Sequence, residues 1–167
     1  MKDQQVDHMA PEFDQRSFRD AMGAYPTGVT VITALAAGRP IGITANSFAS
    51  LSLDPPLVLW SPARRSARCA AFIAAERFTI HILAAGQRVL AQGFAESGDA
   101  PFAAADWAPG PEGVPELAGC AAVLRCVRHG TYPGGDHEIV VGRVAKLTHD
   151  PARAPLVFHR GDYPSLS

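Results

Sequence analysis

The sequence predicts a mainly β fold, an antiparallel barrel with short peripheral helices, on three observations. Two pairs of β-rich runs are each joined by a tight-turn signal: Val29 to Leu35 with Ile41 to Phe48 across Ala37-Gly38-Arg39-Pro40, and Ala121 to Tyr132 with Glu138 to His149 across Pro133-Gly134-Gly135-Asp136. Helical periodicity is confined to short stretches. The strands follow one another as hairpins instead of alternating with helices, which argues against a parallel sheet.

In chain order, residues 1–11 read as a tail and residues 12–167 as a single domain. Between Glu12 and Tyr25, Phe18, Ala21, Met22 and Tyr25 recur at i, i+3, i+4 and i+7, the stripe of an amphipathic helix that Pro26 stops. The first hairpin follows. Asp54-Pro55-Pro56 then turns the chain into Leu57 to Trp60, a buried strand whose Trp60 either lines a site or fills the core. Ser66 to Ala75 suits a short helix with Ser66 as N-cap. Arg77 to Leu83 alternates as a strand, and Gln87 to Glu96 reads as a helix with Val89, Leu90 and Phe94 on one side. Residues 97–119, rich in Gly, Pro, Ala and Asp, read as a long loop. After the second hairpin, Leu156 to His159 reads as a last short strand before Gly161-Asp162-Tyr163.

Bulk properties exclude several classes. Hydrophobic residues make up 47% and charged residues 19% of the 167, too apolar for a disordered chain. A net charge of -1 offers no general attraction for nucleic acid or an anionic membrane. The one basic run, Arg64-Arg65-Ser66-Ala67-Arg68, suits a single anion at most. Cys69, Cys120 and Cys126 form no CxxC pair, and the last two, on one strand, would stand roughly 20 Å apart, too far for a disulfide. They read as small buried hydrophobes. With no apolar run long enough for a membrane span and no signal-peptide core at the N-terminus, the expected location is the cytoplasm.

Common catalytic motifs are missing: no GxGxxG after a strand, no GxxxxGK[ST], no GxSxG, no HExxH. His137 lies between Asp136 and Glu138, but strand alternation would send it to the opposite face from both carboxylates, so no metal is expected. The informative stretch is residues 42–60. Thr44, Asn46, Ser47, Ser50 and Ser52 crowd short polar side chains ahead of an apolar run. Either they face water from a half-exposed strand, or they converge on something polar that is not protein. Pro26-Thr27-Gly28 adds a rigid turn and open backbone. Arg65-Ser66 before a helix adds a cation, a hydroxyl and free N–H groups suited to phosphate.

Tyr25-Pro26-Thr27-Gly28-Val29, Gly42-Ile43-Thr44-Ala45-Asn46-Ser47-Phe48-Ala49-Ser50, Leu53-Asp54-Pro55-Pro56-Leu57 and Gly135-Asp136-His137, in that order, resemble the flavin reductase-like family. These are short-chain NAD(P)H:flavin oxidoreductases that serve two-component monooxygenases. The resemblance runs from about Phe18 to Tyr163, and its most specific block is TANSFAS with the DPPL that follows. It implies a Greek-key split β-barrel of the FMN-binding type, a homodimer, FMN or else FAD as flavin, NADH or NADPH as hydride donor, and a flavin-dependent monooxygenase as partner. By the same resemblance Thr27, Gly28, Thr44, Ala45, Asn46, Ser47 and Ser50 would contact the flavin, and Arg65 and Ser66 would hold its phosphate. The helix from Gln87 would bring Phe94 to the cofactor. His137 would face the nicotinamide as a neutral hydrogen-bond donor. Two departures stand out: His81 where many relatives carry Asn, and Ala67-Arg68 where some carry a second hydroxyl.

Two rival readings share the barrel. One is a flavoprotein that retains its flavin and acts as carrier, sensor or oxygenase. The other binds haem or a pyridoxine derivative, with His129, His149 or His159 as ligand candidates.

Overall fold

The computed structural model describes residues 11–96 and 100–166. Most of the expected tail, and residues 97–99 of the expected loop, lie outside them. The chain runs α1 (Gln15–Gly23), β1 (Thr27–Gly28), β2 (Thr30–Ala36), β3 (Arg39–Ala45), β4 (Ala49–Leu53), β5 (Pro56–Trp60), α2 (Cys69–Ala74) and β6 (Arg77–Ile82). It continues through α3 (Arg88–Ala95), α4 (Ala100–Ala104), β7 (Trp107–Pro109), β8 (Pro115–Leu117), β9 (Ala122–Gly134), β10 (His137–His149) and β11 (Val157–Phe158). Asp14 caps α1 by accepting the Ser17 N–H at 2.7 Å.

Seven strands form one antiparallel sheet in the order β3-β2-β6-β9-β10-β5-β4. Its two edges, β3 and β4, are consecutive in the chain and separated only by residues 46–48. From Ala45 to Ala49 the chain reaches at most about 14 Å. The sheet must therefore curl until its edges approach, although the two edge strands are not hydrogen-bonded partners. The expected strand from Ile41 to Phe48 stops at Ala45, and the polar block continues as an irregular corner.

A curled sheet has an inside and an outside, and β2 is buried on both. Ile32 and Ala34 face the inner core with Val58, Trp60, Phe72, Phe78 and Val140. Val29 and Val31 face an outer core with Leu83, Ala91, Phe94, Leu117 and Leu156. That is why Thr30 to Ala34 is buried without a break. The threonines at such positions need acceptors, and both have one: Thr30 Oγ1 donates to the Ala45 carbonyl at 2.7 Å and Thr33 Oγ1 to Pro115 at 2.6 Å. Trp60 is core, edge-on to Phe72 with centroids 5.1 Å apart. The cysteines are free and buried, and burial pushes the Cys126 thiol up to about 12.

Two expectations change. The region 97–119 is not simply a loop: it holds α4 and the β7–β8 hairpin, which roofs the outer core. Ser66 does not cap a helix. Its N–H donates to Ala63 O (2.9 Å), its hydroxyl accepts the Arg68 N–H (3.3 Å), and the helix begins only at Cys69. A tight turn takes the residues that were expected to form the first helical turn.

Gly142 of β10 tests the tightness of the inner core. A Cβ there would stand 2.5 Å from Phe78 Cζ and 3.1 Å from Cys126 Cβ, both packed core atoms. Gly142→Ala is expected to destabilise the fold by about 1–3 kcal/mol, read as a lower urea midpoint at unchanged m.

Candidate functional site

The irregular corner and the short β1 strand meet at a cleft of about 1120 Å³. Thr27, Asn46 and Ser47 line it on one side, α1 with Phe18 and Met22, followed by Tyr25, on another, and Phe158, Arg160 and Gly161 close it. Leaving the strand after Ala45 lets Asn46 and Ser47 face the same space, which an alternating strand forbids. Thr27 Oγ1 is buried with no hydrogen-bond partner among the described residues. Such a hydroxyl beside a cleft has hydrogen-bonding capacity left to offer a polar ligand. Gly28, beside it, would meet nothing within 4 Å if it carried a Cβ, so the backbone there is open.

A second group of residues is stitched to the first. Ser47 Oγ accepts the Ser61 N–H at 2.9 Å, tying the corner to the end of β5. From there residues 62–64 run against the start of β10. Glu138 N–H donates to Pro62 O (3.0 Å), Arg64 N–H to Asp136 O (2.9 Å), and Arg64 pairs with Glu138 at 2.7 Å. This places Arg65 and Ser66 beside the turn that carries His137.

Strand β10 begins at His137, so Asp136 belongs to the turn and the expected separation of the two side chains does not hold. Asp136 Oδ1 lies 2.7 Å from His137 Nδ1. That bond, foremost, holds the Asp136 carboxyl below its usual range. An ionised carboxylate only accepts, so Nδ1 carries the proton and Nε2 of the neutral ring is an acceptor. Among the described residues no group of three or more metal-ligating side chains occurs.

Other expected contacts are engaged elsewhere. Thr44 Oγ1 donates to the Ala91 carbonyl of α3 at 2.6 Å. Ala45 packs on the inner core while its carbonyl takes the Thr30 hydroxyl. Phe94, 1% exposed, stands edge-on to Phe102 with centroids 4.9 Å apart and has no free face for a cofactor. Ser50 is exposed on β4, opposite Val58. Sequence reasoning missed Arg160 and the α1 wall. The stripe on α1 was visible, but not what it faces.

Known proteins agree over nearly the whole chain. The family described as "Flavin reductase like domain" matches residues 22–167. The FMN reductase (NADH) SmoA of Agrobacterium fabrum is 49% identical over 154 residues, 92% of this chain and 87% of that protein. The flavin-dependent monooxygenase reductase subunit HsaB of Mycobacterium tuberculosis is 38% identical over 160 residues, 95% of this chain and 86% of that one. The NADH:FAD oxidoreductase SgcE6 of Streptomyces globisporus, solved in complex with NAD and FAD fragments, superposes with a TM-score of 0.88 at 39% identity, covering 92% of this chain and 93% of that one.

Proposed function

The chain belongs to the flavin reductase like domain family, and from that premise we propose that it is an NADH-dependent flavin reductase supplying reduced FMN or FAD to a partner flavin-dependent monooxygenase. The observation that carries the reading is 49% identity to an FMN reductase (NADH) along 92% of this chain.

The donor set suits a flavin. The unpartnered Thr27 hydroxyl, the Asn46 amide and the open backbone at Gly28 offer neutral hydrogen bonding to the ring and its side chain, with Ser47 beside Asn46. Thr44 supports the site by anchoring α3 behind it. Arg65 and the Ser66 hydroxyl suit the flavin phosphate. The chemistry, acceptance of a hydride from the nicotinamide, is supplied by the flavin when bound. The protein's work is to hold the rings in register and keep water out.

His137 offers Nε2 to the carboxamide N–H of the nicotinamide, held in that tautomer by Asp136. His137→Ala is expected to raise KM for NADH about tenfold, the worth of one hydrogen bond, with a smaller change in kcat. If both constants stayed as in the wild type, His137 would have no such role.

The finer architecture is a split β-barrel acting as a cytoplasmic homodimer. None of the residues of α1 is buried, and Tyr25 and Leu53 are 75% and 95% exposed. A second copy covering these surfaces accounts for them. Sedimentation would test it, with a monomer at micromolar concentration counting against it.

NADH oxidation with and without added FMN or FAD tests the function. Rates that rise and saturate with free flavin are expected. A yellow protein that gains nothing from added flavin would favour the rival, a flavoprotein that keeps its flavin.

A further inference from the structure

Beside the cleft the chain makes a two-residue turn. His159 and Asp162 exchange both backbone hydrogen bonds, at 2.9 and 3.0 Å, leaving Arg160 and Gly161 at the tip. Their φ values are 50° and 83°. Two successive positive φ angles define a primed hairpin turn, whose usual first residue is Asn, Asp or Gly. Arginine, with a Cβ, carries a steric penalty there that glycine would not. A strained residue kept beside a cleft points to its side chain.

The surroundings leave that side chain uncompensated. Asp162, its nearest acid in sequence, pairs with Arg88 at 3.4 Å and accepts the Tyr163 N–H at 2.8 Å. Arg19 and Asp20, the charged residues on the α1 wall of the cleft, are one of each sign. Arg160 makes no ion pair among the described residues. Its turn is braced on α1, since a Cβ at Gly23 would lie 3.8 Å from Arg160 Cα.

We propose that Arg160 binds the pyrophosphate of the nicotinamide dinucleotide and so positions the hydride donor. The inference rests on the reductase reading above. In that reading the flavin phosphate belongs to Arg65 and Ser66, and Thr27 and Asn46 are neutral. The second anion brought to the cleft is the dinucleotide's pyrophosphate, and a guanidinium fork matches its paired oxygens.

Three variants separate the side chain from the backbone. Arg160→Ala removes the cation and keeps the strained φ, Arg160→Gly removes both, and Arg160→Lys keeps a cation. NAD⁺ is titrated into each by calorimetry, and KM values are taken for NADH and FMN. The dissociation constant for NAD⁺ should rise tenfold or more in the Ala and Gly variants and less than threefold in the Lys variant. KM for FMN should not move, and Tm should rise in Arg160→Gly. Unchanged NAD⁺ affinity in Arg160→Ala overturns the proposal. So does a rise in KM for FMN alone, which would hand the anion to the flavin. Arg160-dependent NAD⁺ binding by a protein that reduces no flavin would keep this site and overturn the reductase reading instead.

Discussion

Replacing His81 with leucine should cost about 2–5 kcal/mol and remove most of the acid sensitivity of the fold between pH 6.5 and 4. His81 is fully buried on β6 and joins two elements distant in sequence. Its Nδ1 lies 3.0 Å from the Val31 carbonyl, and its Nε2 accepts the Leu117 N–H at 3.1 Å. The ring is therefore neutral with its proton on Nδ1. Leucine leaves the Leu117 N–H and one lone pair of Val31 O without partners inside the core, at about 1–3 kcal/mol each. The β8 strand should loosen with it. Burial, foremost, drops the His81 pKa from 6.5 to about 4.

The pH dependence has a definite sign. Between pH 6.5 and about 4 the unfolded chain binds a proton that the folded chain refuses, so stability is full above pH 6.5 and declines as pH falls. At about 1.4 kcal/mol per pH unit the loss amounts to about 3 kcal/mol by pH 4, where it levels off. Asp14, Asp136 and Asp150 have lowered pKa values, so their contributions are lost only as pH falls below 3.8. Urea midpoints of wild type and variant at pH 7 and pH 4.5 would decide it. Equal pH slopes would mean that His81 does not titrate with unfolding.

Much of this architecture was legible because local pattern and tertiary fate coincide. The run from Val29 to Ala34 is β-branched and apolar on both faces, and it lies between two cores. The apolar run ending at Trp60 is equally direct, whereas the stripe on α1 forms the expected helix but stays exposed. The failures lie where a short segment is held by something far away. Residues 107–117 contain Pro109 and Pro115 and strands of three residues, so they read as loop, yet the hairpin is held by His81 from 36 positions away. The corner at Asn46-Ser47-Phe48 mimics a half-exposed strand, and only the curl of the sheet shows why the chain must turn there. That same curl sends Thr44 to α3 and Asn46 to the cleft, although they are two residues apart. Arg160-Gly161 lacks the Asn-Gly signature of its turn type, so nothing local announced it.

Arg65→Ala should raise KM for FMN at least tenfold while leaving that for riboflavin unchanged. The basic run holds three arginines, and the structure separates their duties. Arg64 is paired with Glu138 at 2.7 Å. Arg68 donates to the carbonyls of Gly42 and Phe94 at 2.7 and 3.3 Å, tying α3 to β3. Arg65 is exposed and has no ion pair among the described residues, and its charge already reaches Asp136. A charge-assisted hydrogen bond to a phosphate is worth about 1.5–3 kcal/mol, or roughly 10- to 150-fold in affinity. Because the site is exposed, salt should weaken FMN in the wild type more than in the variant. Riboflavin has no phosphate and serves as the internal control. A parallel rise for both flavins would show that Arg65 supports the ring and not the phosphate. An unchanged KM for FMN would move the phosphate to another cation. Because Arg64 and Arg68 are already engaged, Arg160 would be the next cation to test, through the FMN arm of its own titration.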